Sequence, residues 1–250
     1  MTYSQKNIEQ LFKLIGSFPN QQYVHSTHFE FIRTTDSAWP NQLINLNASE
    51  DEIDDVLDQI ENDSEKGIIP DLLMLIPIYK NRFINDKLKQ REYKSSKWTA
   101  MAHDLEFIVT QNTISQFQVK LVQSKSDFIA WLTIVETELM GIHSLNSDVF
   151  NILLENNDCY FFLGFEAKQA VATSFLFVKE KGAGVYLVAT KKAHRKKGFG
   201  LEMTRHCLLK AKELECEHVH LQATELGKGV YSSLGFVDQG AIGVFRIKKN

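Results

Sequence analysis

Residues 188–200 read Val-Ala-Thr-Lys-Lys-Ala-His-Arg-Lys-Lys-Gly-Phe-Gly, the densest run of chemically useful residues in the 250-residue chain. A strand-like apolar run ends in Val188, Ala189 and Thr190. A basic loop follows, and Gly198 and Gly200 then open a helical pattern that begins with Phe199 and Leu201. The first turn of a helix offers unpaired backbone N–H groups and the positive end of the helix dipole. Glycine lets that backbone approach an anion with no Cβ in the way. Arg195, Lys196 and Lys197 add positive charge at the same mouth. These types in this order point to a pyrophosphate site built mostly from main chain.

Other uses of such residues fit less well. The Gly-x-Gly lacks the third glycine and the ribose-binding acid of the dinucleotide fingerprint. A triphosphate loop needs Gly-Lys-Ser/Thr, which is absent. The five Lys/Arg of 191–197 resemble a nucleic-acid patch, but no second basic cluster extends their field. The acids of 50–61 line one face of a helix and read as a solvated face, since no calcium-loop glycine accompanies them. His218-x-His220 lacks a third ligand of suitable spacing, so no metal is expected. His220 reads as a core or surface histidine, or else as a proton relay acting through water.

The elements that must hold the basic loop are legible around it. Phe117–Val122 reads as a strand, and Ser124-x-x-Asp127 opens a helix with the stripe Phe128, Trp131, Leu132, Val135 and Leu139, ending at Gly141. A shorter helix spans about Val149–Leu154. Strands at Tyr160–Phe165, Ala170–Val178 and Gly184–Ala189 form an antiparallel meander. A helix follows Gly200 to about Cys216, then a strand His218–Thr224, a short helix ending at Gly235, and strands near Val237 and over Ala241–Ile247. Strands on both sides of a helix predict an α/β or α+β fold, a sheet with helices packed on it.

Arg195-x-x-Gly198-x-Gly200 resembles the R/Q-x-x-G-x-G/A signature of the GNAT superfamily of acetyl-CoA-dependent N-acetyltransferases. Gly229–Phe236, Gly-Val-Tyr-Ser-Ser-Leu-Gly-Phe, is similar to that family's second motif, Y-x-x-L-G-F. The likeness covers about 117–250. It implies the acyl-CoA N-acyltransferase fold, a mixed and mostly antiparallel sheet flanked by helices. It also implies acetyl-CoA as co-substrate and transfer to a primary amine of a small molecule or peptide in a ternary complex. By resemblance, the pantetheine arm lies along Val188, Ala189 and Thr190. The pyrophosphate sits on the N–H groups of Lys196, Lys197, Gly198, Phe199, Gly200 and Leu201, after Arg195. Tyr231 takes the position of the general acid. The carboxylate that many members carry on the strand before the signature is missing from Gly184–Ala189, so no general base is identified. An acyl-CoA-binding module without catalysis stays open as a second reading.

The first half is different in character. Residues 1–110 hold 11 Lys/Arg against 17 Asp/Glu, a net of −6, while 111–250 hold 17 against 14, a net of +3. It shows short strands at His28–Thr34 and Gln42–Asn47, a helix opened by the capping box Ser49-x-x-Glu52, a strand Leu72–Ile76, a helix Asn81–Tyr93 and a strand Trp98–Asp104. Length and charge split predict an N-terminal α/β lobe over 1–112 and an acetyltransferase domain over 113–250. The layout of 72–104 is similar to the last third of a GNAT domain. The lobe therefore reads as a degenerate GNAT-like half, giving a monomeric pseudo-dimer, or as an independent accessory domain; a homodimer is also open. Three scattered cysteines and no long apolar run predict a reduced, cytoplasmic protein without membrane or nucleic-acid partners.

Overall fold

The computed structural model describes residues 3–75, 82–107, 116–141 and 144–247. The first half runs α1 (Tyr3–Gly16), β1 (Gln22–His25), β2 (Glu30–Arg33), β3 (Gln42–Ile44), α2 (Ile53–Glu65), β4 (Leu72–Leu75), α3 (Arg82–Gln90) and β5 (Lys94–Asp104). The second runs β6 (Phe117–Leu121), α4 (Lys125–Val135), α5 (Ser147–Leu154), β7 (Cys159–Glu166), β8 (Gln169–Lys179) and β9 (Gly182–Thr190). It ends in α6 (Phe199–Glu213), β10 (His218–Ala223), α7 (Glu225–Ser233) and β11 (Val237–Arg246). The expected mixed, mostly antiparallel sheet flanked by helices is present. The boundary drawn at 112/113, the strand end at Ile76 and the helix start at Asn81 lie outside the described residues.

All described strands form one sheet, ordered β1-β2-β3-β4-β11-β5-β10-β9-β8-β7-β6. The order shows an exchange. Each half contains a parallel pair joined by a helix: β3 and β4 around α2, β9 and β10 around α6. In each, a second helix and one more strand follow, and that strand docks on the other half. β5 lies antiparallel on β10, β11 lies antiparallel on β4, and β5 and β11 pair with each other at the centre.

One hydrophobic core serves both halves. Ile8, Leu11, Phe12 and Ile15 of α1 share a buried cluster with Met74, Trp131, Phe150 and Ile242. Their i, i+3, i+4, i+7 spacing is the signature of an amphipathic helix, so α1 was readable although the sequence analysis assigns no element there. The other sheet face carries two separate cores, one under α6 and α7 and one under α2 and α3. Cys159, Cys207 and Cys216 are free and buried, and burial raises their thiols, to about 12 for Cys159 and Cys207.

Several boundaries differ from the sequence-based expectation for physical reasons. The capping box at Ser49 forms only in part: the Ser49 N–H and hydroxyl both donate to Glu52 Oε2 (3.1 and 2.6 Å), and α2 starts at Ile53. Ser124 caps α4 as expected, accepting from the Asp127 N–H at 3.1 Å. That helix does not continue evenly to Gly141. It widens into a π-turn over Glu136–Met140, closed by the Gly141 N–H on the Glu136 carbonyl (2.6 Å). The extra residue per turn rotates the stripe beyond Val135, so Leu139 is exposed. The two terminal strands are one strand, β11, with a register shift between Asp238 and Gly240.

Candidate active site

The parallel pair in the second half separates soon after it forms. β9 and β10 are in register from Gly182/His218 to Gly184/His220, and among the described residues their ladder goes no further. β9 stays attached to β8 as far as Thr190/Ala172, but with an irregularity between Thr173 and Phe175. There Leu187 takes a positive φ of 51°, its carbonyl accepts from the Thr173 hydroxyl (3.1 Å), and the Ser174 carbonyl accepts from the Trp131 indole (3.2 Å). A bulge of this kind bends its strand and strengthens the local twist. It turns the end of β9 away from β10 and leaves the β9 edge around Val188 facing a gap. Ala189 and Thr190 rejoin β8, with Ala189 buried.

The basic loop leaves β9 directly. A short 3-10 turn, Lys192–His194, forms its first part. Lys196 and Gly198 both adopt left-handed conformations, with φ of 63° and 82°. Alternation between ordinary and left-handed residues turns successive N–H groups into one concave nest, the geometry that suits an anion. Gly198 is also the N-cap of α6 and makes no side-chain cap. A Cβ at Gly200 would meet only Thr190 Oγ1, at 4.0 Å, so the surface in front of this first turn is open. Phe199 points inward and stacks on Phe117 (centroids 4.2 Å apart, 6° between planes), so it offers the site its backbone alone.

The three cations expected at the mouth, Arg195, Lys196 and Lys197, are present there and are not equivalent. Arg195 folds back, donating from Nε to the Thr190 carbonyl (3.0 Å) and pairing with Glu138 (2.7 Å). Lys197 pairs with Glu166 at 2.8 Å, and the same carboxylate meets His194 at 2.6 Å. Arg195 and Lys197 therefore close and brace the loop; all three cations are exposed, and among the described residues Lys196 makes no ion pair. Glu138 belongs to the π-turn, which ties that distortion to the loop.

Tyr231 stands on α7 across the gap. The helix ends in a Schellman motif: the Phe236 N–H donates to the Tyr231 carbonyl (3.1 Å) and the Gly235 N–H to the Ser232 carbonyl (3.0 Å), with Gly235 at φ 92°. The ring of Phe236 meets that of Tyr231 edge-on at 6.0 Å, as the motif's hydrophobic contact. The spacing Tyr-x-x-Leu-Gly-Phe is thus a helix-stop geometry that also fixes the tyrosine. Gly227 makes room for it, since a Cβ there would lie 2.9 Å from Tyr231 Cε2. Burial, and then the neighbouring Cys207, push the phenol up to about 12, so it keeps its proton at neutral pH.

Between Val188 and Tyr231 lies a cavity of about 710 Å³ that runs on beneath the first half of the chain. Its walls include Trp39, Trp98, Met140, Tyr186 and Gln222, side chains that the sequence analysis did not assign to a site. Trp39 is held there by cross-half bonds: the Ala38 N–H donates to the Ser144 carbonyl (2.6 Å), and the Asn146 amide donates to the Thr35 carbonyl (2.9 Å). Tyr186 donates to Asn7 of α1 at 2.7 Å, over Gly184. One compositional signal was available, since two of the chain's three tryptophans are here and the third, Trp131, is core. His220 lies deeper, buried, while Gln222 of the same strand reaches the wall. Burial, with His218 nearby, lowers His220 to about 4, so the ring is neutral.

A sheet with a splayed parallel pair, a left-handed glycine loop feeding a helix and a tyrosine on the next helix defines a scaffold of the acyltransferase class. Residues 127–236 match the acetyltransferase (GNAT) family, and this C-terminal part of the chain belongs to it. The whole architecture, both halves included, recurs in solved structures. A GCN5-related N-acetyltransferase from Kribbella flavida is 15% identical over 99% of this chain and 97% of its own, with a TM-score of 0.73. Another, from Sphaerobacter thermophilus, is 11% identical over 96% of this chain and 90% of its own, at 0.64. A functionally unknown conserved protein from Staphylococcus epidermidis is 11% identical over 94% and 96%, at 0.62. At such identities these likenesses concern the fold. No curated protein matches the sequence. Among the described residues no helix is long and apolar enough to cross a membrane, and no group of three His, Cys, Asp or Glu could hold a metal ion.

Proposed function

We propose that the protein is an N-acetyltransferase that moves an acetyl group from acetyl-CoA directly to a primary amine. The observation that carries this reading is the splay of β9 from β10 beyond Gly184, set against the left-handed turn at Gly198. Acetyl-CoA supplies the acyl group as a reactive thioester. The strand edge at Val188 gives the pantetheine arm a partner, and the N–H groups from Lys196 to Leu201 hold the pyrophosphate. Holding both reactants in one cleft accounts for most of the acceleration. The Val188 amide polarises the thioester carbonyl, and the Tyr231 hydroxyl gives its proton to the departing thiolate. No carboxylate stands on β9, so the amine enters neutral or loses its proton to water.

The first half repeats this plan without its chemistry, and we read it as a degenerate GNAT-like lobe, so that one chain is a pseudo-dimer. Its β3–α2 connection, residues 45–52, places Glu50, Asp51 and Glu52 where the second half has its basic glycine loop. Three carboxylates there repel a pyrophosphate. Buried free thiols suit the reducing cytoplasm.

The test is thiol release from acetyl-CoA across an amine library, with Tyr231→Phe alongside. We expect kcat to fall by about 10²-fold or more, with acetyl-CoA affinity changed far less. An unaltered kcat removes Tyr231 from the mechanism, and acetyl-CoA binding with no turnover on any amine makes the protein a binding module.

A further inference from the structure

Resting on that reading, the geometry points to the acceptor's other end: we propose that the acceptor is an elongated amine with a negatively charged terminus, a carboxylate or phosphate, received by Lys94 and Arg246. These two residues are direct cross-strand partners on β5 and β11. Both line the cavity. Directly opposed residues of an antiparallel pair hold their Cβ atoms about 4.5–5.5 Å apart on one sheet face, and like charges so placed destabilise the sheet. Asp71 offsets one of the two, pairing with Arg246 at 2.9 Å. Among the described residues no carboxylate lines the cavity, and Asp71 beside it is already paired with Arg246, so a second ammonium group would find no free carboxylate there. A polyamine is therefore a poor acceptor, and an anion relieves the repulsion that the register imposes.

The positions also set a length. Trp98 is one residue past the Thr99/Ala223 pair, beside Thr224 at the Tyr231 end of the cavity. Lys94 stands four residues further along the same face of β5, roughly 13 Å at the rise of a strand. Ser96 projects between them, and Val244, Met74 and Leu72 complete the floor across β11 and β4. The middle of the acceptor is accordingly apolar with room for one polar contact, its amine lies near Val188 and Tyr231, and its anion lies at the open end.

The experiment uses the full chain with ω-amino carboxylates of increasing length, their primary amides and ω-aminoalkyl phosphates. Equilibrium binding in the presence of CoA is measured by calorimetry, and thiol release from acetyl-CoA is followed separately. The carboxylate or phosphate whose span approaches ~13 Å is expected to bind roughly tenfold or more tighter than the matched amide. Lys94→Gln brings the acid-to-amide ratio close to one, and Lys94→Arg restores it. Preference within the acid series identifies which anion the site takes. An amide that binds as well as its acid, or a ratio that persists in Lys94→Gln, overturns the proposal. Equal acetylation of acids and amides sinks it while leaving the transferase reading intact. Lys94-dependent acid binding without thiol release supports it and sinks the transferase reading instead.

Discussion

Alanine at Gly198 and alanine at Gly200 have opposite consequences, although the two glycines stand in one motif. Gly198 has φ 82° and ψ 4°, a left-handed conformation in which a Cβ crowds the following carbonyl. Placing alanine there costs about 1–2 kcal/mol. If the loop keeps its shape, folding stability carries that cost, and for a chain of this size the melting temperature falls by roughly 2–8 °C. If the loop escapes by leaving the left-handed region, acetyl-CoA binding must restore it, and affinity falls by about 5–30-fold. The two losses together total about 1–2 kcal/mol however they are divided. Gly200 is helical, with Thr190 Oγ1 at 4.0 Å as the nearest neighbour of an added Cβ. Alanine there gains up to about 1 kcal/mol of helix preference. Scanning calorimetry and acetyl-CoA titration of both variants separate the cases. Should Gly198→Ala melt no lower than wild type and bind acetyl-CoA as tightly, the nest is not the anion site.

Three other perturbations follow from the packing. Gly184→Ala puts a Cβ 2.1 Å from Asn7 Oδ1 and 2.5 Å from the Tyr186 hydroxyl; we expect a loss of about 1–3 kcal/mol in urea unfolding, and an unchanged midpoint would mean that α1 does not close over β9. His220 is held near 4, below its ordinary 6.5, so the unfolded chain binds the extra proton first. The stability from the neutral ring is complete above 6.5 and is lost as pH falls through 4, amounting to about 3 kcal/mol. In thermal melts between pH 7 and 4 wild type should therefore lose stability relative to His220→Leu as acid is added, and parallel curves would contradict the burial argument. Deleting 1–112 removes β5 from between β10 and β11; the remaining piece should show no cooperative melt by circular dichroism, and a soluble 113–250 domain with full activity would sink the pseudo-dimer reading.

How much was legible depended on the range of the interaction. Ser124 at the start of α4, Gly235 past the end of α7 and the β7–β8–β9 meander are decided within a few residues by capping hydrogen bonds, positive φ and period-two burial, and each stands where its local pattern put it. The π-turn at Glu136–Met140 was invisible because an apolar stripe at helical spacing does not reveal one inserted residue. Trp39 lies in the bend between β2 and β3, and its place in the cavity wall comes from bonds that its neighbours Thr35, Ser37 and Ala38 make to Ser144 and Asn146, over a hundred residues away. Lys94 and Arg246 carry no local signal in the sequence, because only the β5–β11 register makes them neighbours.

The sequence by itself determined the basic glycine loop that opens α6, the tyrosine helix-stop and the charge contrast between the halves, because glycine conformations, helix caps and local charge are written within a few residues. Tertiary structure alone decided that β5 and β11 change places, that one core underlies both halves, and that the cavity beside Val188 is walled by the first half of the chain. Strand exchange depends on which edges are left unpaired once two partial sheets have formed, and no window of sequence contains both edges.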